Sequence, residues 1–342
     1  MTQIDSRMKA RMRFSLRFNN DLPVAAYPTL ARAAEAAGFD QFWVSDDLFL
    51  RGVWPILSAC AIATSRIELG TCVVNPYSCH PSEIAMQAAT LDELSAGRLN
   101  LGIAAGAADF LGWVGIPQQQ PLAATAEAIR VLRALFAGER PARMQPPPRG
   151  WTDSAYLRIP SRRIPIYLGA MSQRMHMLIG ELADGGLPLL FPPEQYREVA
   201  GRVETGAIRA DRDPNTIDLA ACIWVSVAEN RAAAEAPLRE KVAYYGHAFS
   251  AEVLGRLGLT HADFAEIDRI GQAEGDLARA SELVTPQMLQ VGVAGTAADL
   301  IPRLEGLVAM GARHLSFGPP LGPDPLEAIA ILGREVIPYF RH

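Results

Sequence analysis

Met12-Arg-Phe-Ser-Leu-Arg-Phe18, then Asn19-Asn-Asp-Leu-Pro23, then Pro28-Thr-Leu-Ala-Arg-Ala-Ala-Glu-Ala-Ala37-Gly38 is the stretch that decides the fold. The first segment is a short, mainly apolar run of strand length. The last repeats Leu30, Ala33, Ala34 and Ala37 at helical spacing. Gly38 follows, the residue type that closes a helix in a left-handed conformation. A strand followed by a helix opens both the TIM barrel and the doubly wound open sheet. The open sheet characteristically places a glycine-rich turn after its first strand. Asn19–Pro23 holds no glycine, which favours the barrel.

The same alternation continues along the chain. Further strands are predicted at Gln41–Ser45, Ile67–Val74, Leu99–Ala104, Ile164–Leu168, Gly186–Leu190, Leu219–Val227 and His314–Phe317, making eight with the first. Helical patterns fall at Val53–Thr64, Pro81–Ser95, Ala123–Ala137, Gln173–Ala183, Glu194–Ala210, from Asn230 onward, and at Ala297–Met310. Thr296 and Asp299 form the sequence signature of a capping box at the last of these. Eight β-then-α units predict an α/β protein, a (β/α)8 TIM barrel. Residues 12–342 form one domain on this reading, and residues 1–11 are expected to be a loose extension. Two stretches exceed a minimal barrel: about 138–163, with Pro146-Pro147-Pro148, and about 239–291, which is helical by pattern. Such inserts either shape the active-site mouth or serve packing and subunit contacts.

Composition narrows the function classes. The 342 residues are 49% hydrophobic and 20% charged, with a net charge of −5, so nothing provides the basic face that nucleic acid requires. No apolar run is long enough to span a membrane, and the N-terminus lacks the apolar core of a secretory signal. Cys60, Cys72, Cys79 and Cys222 match no metal spacing. A reduced cytoplasmic protein without a structural metal is expected.

In a barrel, chemistry sits at the C-terminal ends of the strands and in the loops after them. After strand two, Asp46-Asp47 reads either as a loop start that caps the next helix or as an acid/base pair contacting a ring. After strand three, Gly70–Asn75 interrupts a buried strand with small polar residues, and Asn75-Pro76 starts a turn. His80-Pro81 then precedes a helix, where a lone histidine reads first as a structural contact. After strand four, Ala104-Ala105-Gly106-Ala107 would let a planar ring approach the backbone. After strand five, Gly169-Ala170-Met171-Ser172-Gln173-Arg174 opens a helix. It reads either as an anion site at free amides or as an ordinary serine cap.

Several segments together resemble one family. These are Glu35 to Asp46, Arg66 to Tyr77 with His80-Pro81, Thr90 to Arg98 leading into Leu101-Gly-Ile103, Ile166 to Ala170 with Leu182 to Gly185, Val293 to Thr296, Phe317 to Gly322, and Glu335 to Pro338. The set is similar to luciferase-like monooxygenases, and within them to coenzyme F420-dependent methylenetetrahydromethanopterin reductases. The resemblance implies a homodimer with coenzyme F420, or alternatively FMN, in the barrel mouth. It implies a non-prolyl cis peptide at Cys72–Val73 backing the ring. It also implies cofactor contacts from Asp46, Cys72, Val73, Asn75, Ala105, Gly106, Gly169, Ala170, Met171, Ser172 and Arg174. Three positions depart from the pattern. Asp47 stands where a histidine follows the aspartate, Ala107 where an acid follows the strand-four glycine, and Arg17 where the reductases carry a glutamate. The acids expected to serve methylenetetrahydromethanopterin are thus absent. Asp47 is left as the acid/base candidate and Arg17 as a contact for a substrate anion.

Three functions compete on this reading. The leading one is an F420-dependent oxidoreductase passing a hydride between the deazaflavin and an unidentified small-molecule substrate. The others are an FMN-dependent luciferase-like monooxygenase and a flavin- or F420-binding protein without catalysis.

Overall fold

The computed structural model describes residues 12–341; the extension expected over residues 1–11 lies outside the described residues. The strands are β1 (Arg13–Phe18), β2 (Gln41–Val44), β3 (Glu68–Thr71), β4 (Leu99–Ile103), β5 (Ile166–Ala170), β6 (Gly185–Pro188), β7 (Asp218–Val227), β8 (Val293–Gly295) and β9 (His314–Leu321). The helices between β1 and β7 are α1 (Ala26–Ala36), α2 (Val53–Ala63), α3 (Pro81–Leu94), α4 (Ala108–Trp113), α5 (Pro121–Phe136), α6 (Gln173–Leu182) and α7 (Tyr196–Arg209). After β7 come α8 (Arg231–Tyr245), α9 (Ala251–Arg256), α10 (Ala265–Asp268), α11 (Leu277–Glu282), α12 (Ala297–Ala309), α13 (Pro325–Ile331) and α14 (Ile337–Arg341).

The hydrogen-bonded strand order is β6-β5-β4-β3-β2-β1-β9-β7-β8, and β6 also pairs with β7. The fold is the (β/α)8 TIM barrel that the alternation predicts. Four elements exceed the sequence reading: β8, α4, and the C-terminal helices α13 and α14. The three-residue β8 pairs with the last residues of β7, Val225–Val227. The single-turn α4 follows β4, where alanines and glycines carry no strong helical stripe. Strand three is shorter than predicted because the chain leaves the ladder at Thr71. Among the described residues, no helix is long and apolar enough to cross a membrane.

The chain divides into two compact units. The first, residues 15–188 and 198–220, holds β1 to β6 and the start of β7. Its strands are parallel and register-locked: Arg17 lies beside Trp43, Trp43 beside Gly70, Gly70 beside Asn100, Gly102 beside Tyr167, and Tyr167 beside Gly185. Parallel neighbours in register point to the same face. One face therefore carries Gln41, Trp43, Glu68, Gly70, Asn100, Gly102, Tyr167 and Gly169, with Arg17 on it.

That face is polar toward the N-terminal ends of the strands. Trp43 Nε1 donates to Gln41 Oε1 at 3.0 Å, and Gln41 Nε2 donates to Glu68 at 2.8 Å and to the Tyr167 hydroxyl at 3.2 Å. Asn100 Nδ2 donates to Glu68 at 2.7 Å, and the Tyr167 hydroxyl donates to Asp218 at 2.7 Å. Five strands are thereby joined through side chains as well as through backbone. Each group would cost free energy if buried without a partner.

The second unit comprises residues 189–197 and 221–341, with the described residues up to Phe14. It contains the insert after β7. That insert builds its own apolar cluster from Leu254, Phe264, Ile267 and Ile270 against Phe191 and Trp224. Packing is thus a clear role of the longer insert. The capping box expected at Thr296 is present, with the Thr296 amide donating to Asp299 Oδ2 at 2.9 Å.

Tyr167→Phe deletes the donor to Asp218 and the oxygen that Gln41 uses. It should lower unfolding free energy by about 1–3 kcal/mol, read by urea denaturation. A loss under about 0.5 kcal/mol would show that the side-chain network is dispensable.

Candidate functional site

The C-terminal ends of β1 to β5 gather the residues singled out from the sequence. The site starts at Asn20, just beyond β1 and fully buried. Its Nδ2 donates to the Asp47 carbonyl at 3.1 Å and to the Arg51 carbonyl at 2.7 Å. Its Oδ1 accepts from the Ser45 hydroxyl at 2.9 Å and lies 3.3 Å from the Asp47 amide. One amide side chain thus closes the loop from β2 to α2. The Ser45 hydroxyl also lies 3.1 Å from Asp47 Oδ2, so the same cluster sets the Asp47 carboxylate.

The two readings of Asp46-Asp47 separate by residue. Asp46 Oδ1 accepts from the Val53 amide at 3.4 Å, the first residue of α2. Asp46 thus behaves as a loop-start cap. Burial pushes its carboxyl above the ordinary aspartate range; the Val53 amide opposes the rise, and the Asp47 charge adds to it. Asp47 has no such helix to serve, and its carboxylate is half-buried. The Asp47 carbonyl also accepts from the Leu50 amide at 3.3 Å, closing a tight turn that holds Phe49 at φ +66°. A bulky residue there costs on the order of 1–2 kcal/mol.

The floor comes from the next three strands. The Cys72–Val73 peptide is cis, as the resemblance implied. Thr71 Oγ1 donates to the Gly102 carbonyl at 2.8 Å and accepts from the Gly102 amide at 3.0 Å. The Thr71 carbonyl sits so close to Gly102 that a Cβ there would overlap it. Val74 then rejoins Gly102 and Ala104 through backbone bonds of 3.0 Å each. The chain between bulges, and its Val73 side chain meets β5. A Cβ on Gly169 would lie 3.0 Å from Val73 and 3.2 Å from Ala104. Val73 and Ala104 therefore both crowd the Gly169 backbone on β5.

Ala105 and Gly106 flank this floor, and both carbonyls accept from Gln118 Nε2, at 2.9 and 2.8 Å. Asn75 is buried beside Gly106, but its amide is used locally. Its Oδ1 accepts from the Tyr77 and Ser78 amides at 3.0 and 2.9 Å, and its Nδ2 donates to Ser78 Oγ at 2.8 Å. Asn75 shapes the turn with its side chain; only its surface is offered to a ligand. His80 caps α3 by accepting from the Ser82 amide and stacks on Trp151 at 5.3 Å, a structural contact as expected.

Beyond β5, Ala170 is buried and Met171 is exposed. Ser172 Oγ accepts from the Met175 amide at 3.4 Å and caps the ten-residue α6. The cap reading holds for Ser172. Arg174 is exposed on the first turn of that helix. Arg17 is buried on β1, on the inward face beside Trp43.

Of the thirteen residues picked from the sequence, twelve lie at the ends of β1 to β5 or in the loops that follow, and Arg174 lies on the first turn of α6. Asn20 and Gln118 were missed as site-builders. Asn20 carries no local signal, because its partners are 25 to 31 residues away.

Residues 12–314 match the family model described as luciferase-like monooxygenase. The chain is 32% identical over 328 residues to the 5,10-methylenetetrahydromethanopterin reductase of Methanolobus tindarius, covering 95% of this chain and 100% of that protein. It is 28% identical to the F420-dependent glucose-6-phosphate dehydrogenase of Microbacterium testaceum, covering 90% and 91% respectively. Among solved structures, the coenzyme F420-dependent tetrahydromethanopterin reductase of Methanopyrus kandleri superposes with a TM-score of 0.88 at 28% identity. That match covers 97% of this chain and 100% of the other.

The upward push on Asp46 has a consequence for stability. A carboxyl whose folded value is raised holds its proton longer in the native state, so ionising it costs stability as pH rises. Asp46→Asn, which keeps an acceptor for Val53, should be more stable than the parent at pH 7. The gap should close as pH falls below about 4, the unfolded aspartate value. Thermal melts across that range read it; a gap independent of pH would refute the burial argument.

Proposed function

The chain belongs to the luciferase-like monooxygenase family, and within it we propose a coenzyme F420-dependent oxidoreductase that passes a hydride between the deazaflavin and a small organic substrate. The observation that carries this reading is the floor of the site. Val73 and Ala104 crowd the Gly169 backbone with no polar side chain among them. The next residues after β4, Ala105 and Gly106, are also small. A flat ring system can rest on such a floor, and a Cβ at Gly169 would intrude on it. The relatives whose names include F420 support the deazaflavin over FMN.

Bound F420 supplies the hydride from C5 of its deazaflavin ring. The chain does the rest. The bulge at Cys72–Val73 would back the ring, with Asp46 and Asn75 at its border. Ser172 and Arg174, at the N-terminus of α6, would hold the phosphate-bearing tail, where the helix start and a guanidinium favour an anion. Asp47, oriented by Ser45 and Asn20, holds or delivers the proton that accompanies hydride transfer. Arg17 replaces an acid of the reductase pattern with a cation, and we assign it to a negatively charged group on the substrate. With Asp47 and Ala107 in mind, we propose a substrate other than methylenetetrahydromethanopterin.

Fluorescence titration of the purified chain with F420 and with FMN tests the cofactor. F420 should bind at least ten-fold more tightly, and Arg174→Ala should weaken F420 about ten-fold, the loss of one charge-assisted contact of about 1.4 kcal/mol. Tighter binding of FMN would overturn the reading. For any substrate turned over, Asp47→Asn should lower kcat by roughly 100- to 10,000-fold, the usual span of a general acid or base. An unchanged kcat would remove Asp47 from the chemistry.

A further inference from the structure

Two loops of the candidate site display aromatic rings to solvent. Phe49 is 71% exposed and Trp113 is 65% exposed, and their ring centroids are 6.2 Å apart. Phe110 completes the group, 4.7 Å from Trp113 and one helical turn away from it on α4. Leu50 and Val114 are exposed beside them in sequence. The two loops are those that carry Asp46-Asp47 and Ala105-Gly106. The rings therefore stand on the segments that hold the acid and the floor.

This display is held in place. The turn that carries Phe49 springs from the Asp47 carbonyl, and Asn20 ties down both Asp47 and Arg51 on either side of it. Phe49 occupies a left-handed conformation there, a position glycine would take at no cost. On the other side, Gln118 pins the backbone before α4, and the Tyr77 hydroxyl donates to the Gln119 carbonyl at 2.5 Å after it. Water gains nothing from this arrangement. An exposed apolar group on a strained, anchored turn points to a ligand.

We infer that Phe49, Phe110 and Trp113 form the substrate-selecting rim of the site, and that the substrate carries a flat apolar group that lies against them. The inference deepens the oxidoreductase reading by naming a substrate class. The size of the patch favours a small molecule. An aromatic side chain buries about 150–250 Å², so the exposed parts of Phe49 and Trp113 with Leu50 and Val114 offer on the order of 400 Å². A standard protein interface needs about 800 Å² per partner. A flat apolar group gains more from the rings than a polyhydroxylated one, because more of its surface is apolar.

Calorimetric titration of the full chain, with and without saturating F420, tests this with two probes, 2-acetylnaphthalene and glucose 6-phosphate. The parent protein should bind 2-acetylnaphthalene, whereas any binding of glucose 6-phosphate, whose phosphate Arg17 can hold, should not depend on the rings. Phe49→Ser combined with Trp113→Ser should weaken the naphthyl probe at least ten-fold and leave F420 affinity within two-fold. Met86→Ser, an exposed apolar position on α3, should leave both unchanged. Because the rings are exposed, the variants should melt within a few degrees of the parent. The rim assignment fails if the double variant binds the naphthyl probe within two-fold of the parent, or if the parent does not bind it. It also fails if light scattering shows that the double variant changes oligomeric mass, which would assign the rings to a contact between copies. Failure of F420 to bind would instead overturn the cofactor reading, while the probe titration of the cofactor-free chain still decides the rim.

Discussion

The inward face of β1 to β5 sets the terms for everything above it. A curved parallel sheet must fill the space its strands enclose, and here that filling changes character along the strands. At the base, Gln41, Glu68, Asn100 and Tyr167 saturate one another, and Tyr167 reaches Asp218 on β7. One layer higher, Gly70, Gly102 and Gly169 occupy the same face. The Trp43 ring fills the space over Gly70 and meets Tyr167 edge-on at 5.0 Å. The base is thereby rigid and closed, while the top keeps room. A floor of small residues can exist only because the layer beneath it is locked by polar contacts that do not slide.

Much of this was legible in the sequence, for local reasons. Helix caps depend on neighbours within a turn, so Thr296 with Asp299 and Ser172 with Met175 could be read directly. Strand and helix periodicity are likewise local, and they yielded the barrel. Register is not local. The ties from Asn20 to Ser45, Asp47 and Arg51 appear only when β1 is set beside β2. The polar base layer is hidden for the same reason, because Gln41, Glu68 and Asn100 look like ordinary strand-start residues. Short elements also escape: α4 is six residues long and β8 three, too few for a periodicity to show.

The adjacent carboxylates show how geometry divides what sequence leaves joined. Asp46 meets the first amide of α2, a backbone donor that offsets only part of the cost of its burial. Asp47 is held by Ser45 and by backbone contacts to Asn20, so it has a fixed direction but no helix to cap. The first is a structural group that also borders the site. The second is oriented by Ser45 beside the site, and orientation is a condition an acid/base group must meet. Asn75 is the converse case. It sits where a ligand contact was expected, yet its side-chain oxygen and nitrogen are spent on its own turn.

The departures from the reductase pattern can then be weighed by where they fall. None lies on the floor, where Val73 and Ala104 crowd Gly169. Arg17 stands on the inward face, Asp47 at the root of the Phe49 turn, and Ala107 immediately before α4. Residues around that floor bear on what is received beside a bound ring and leave its seat alone. One cofactor can serve different substrates on this division, since the cofactor carries the hard chemistry and the protein selects its partner. A chain losing catalysis would have no reason to keep Asp47 anchored through a fully buried Asn20. Nor would it hold Phe49 in a conformation that costs backbone energy.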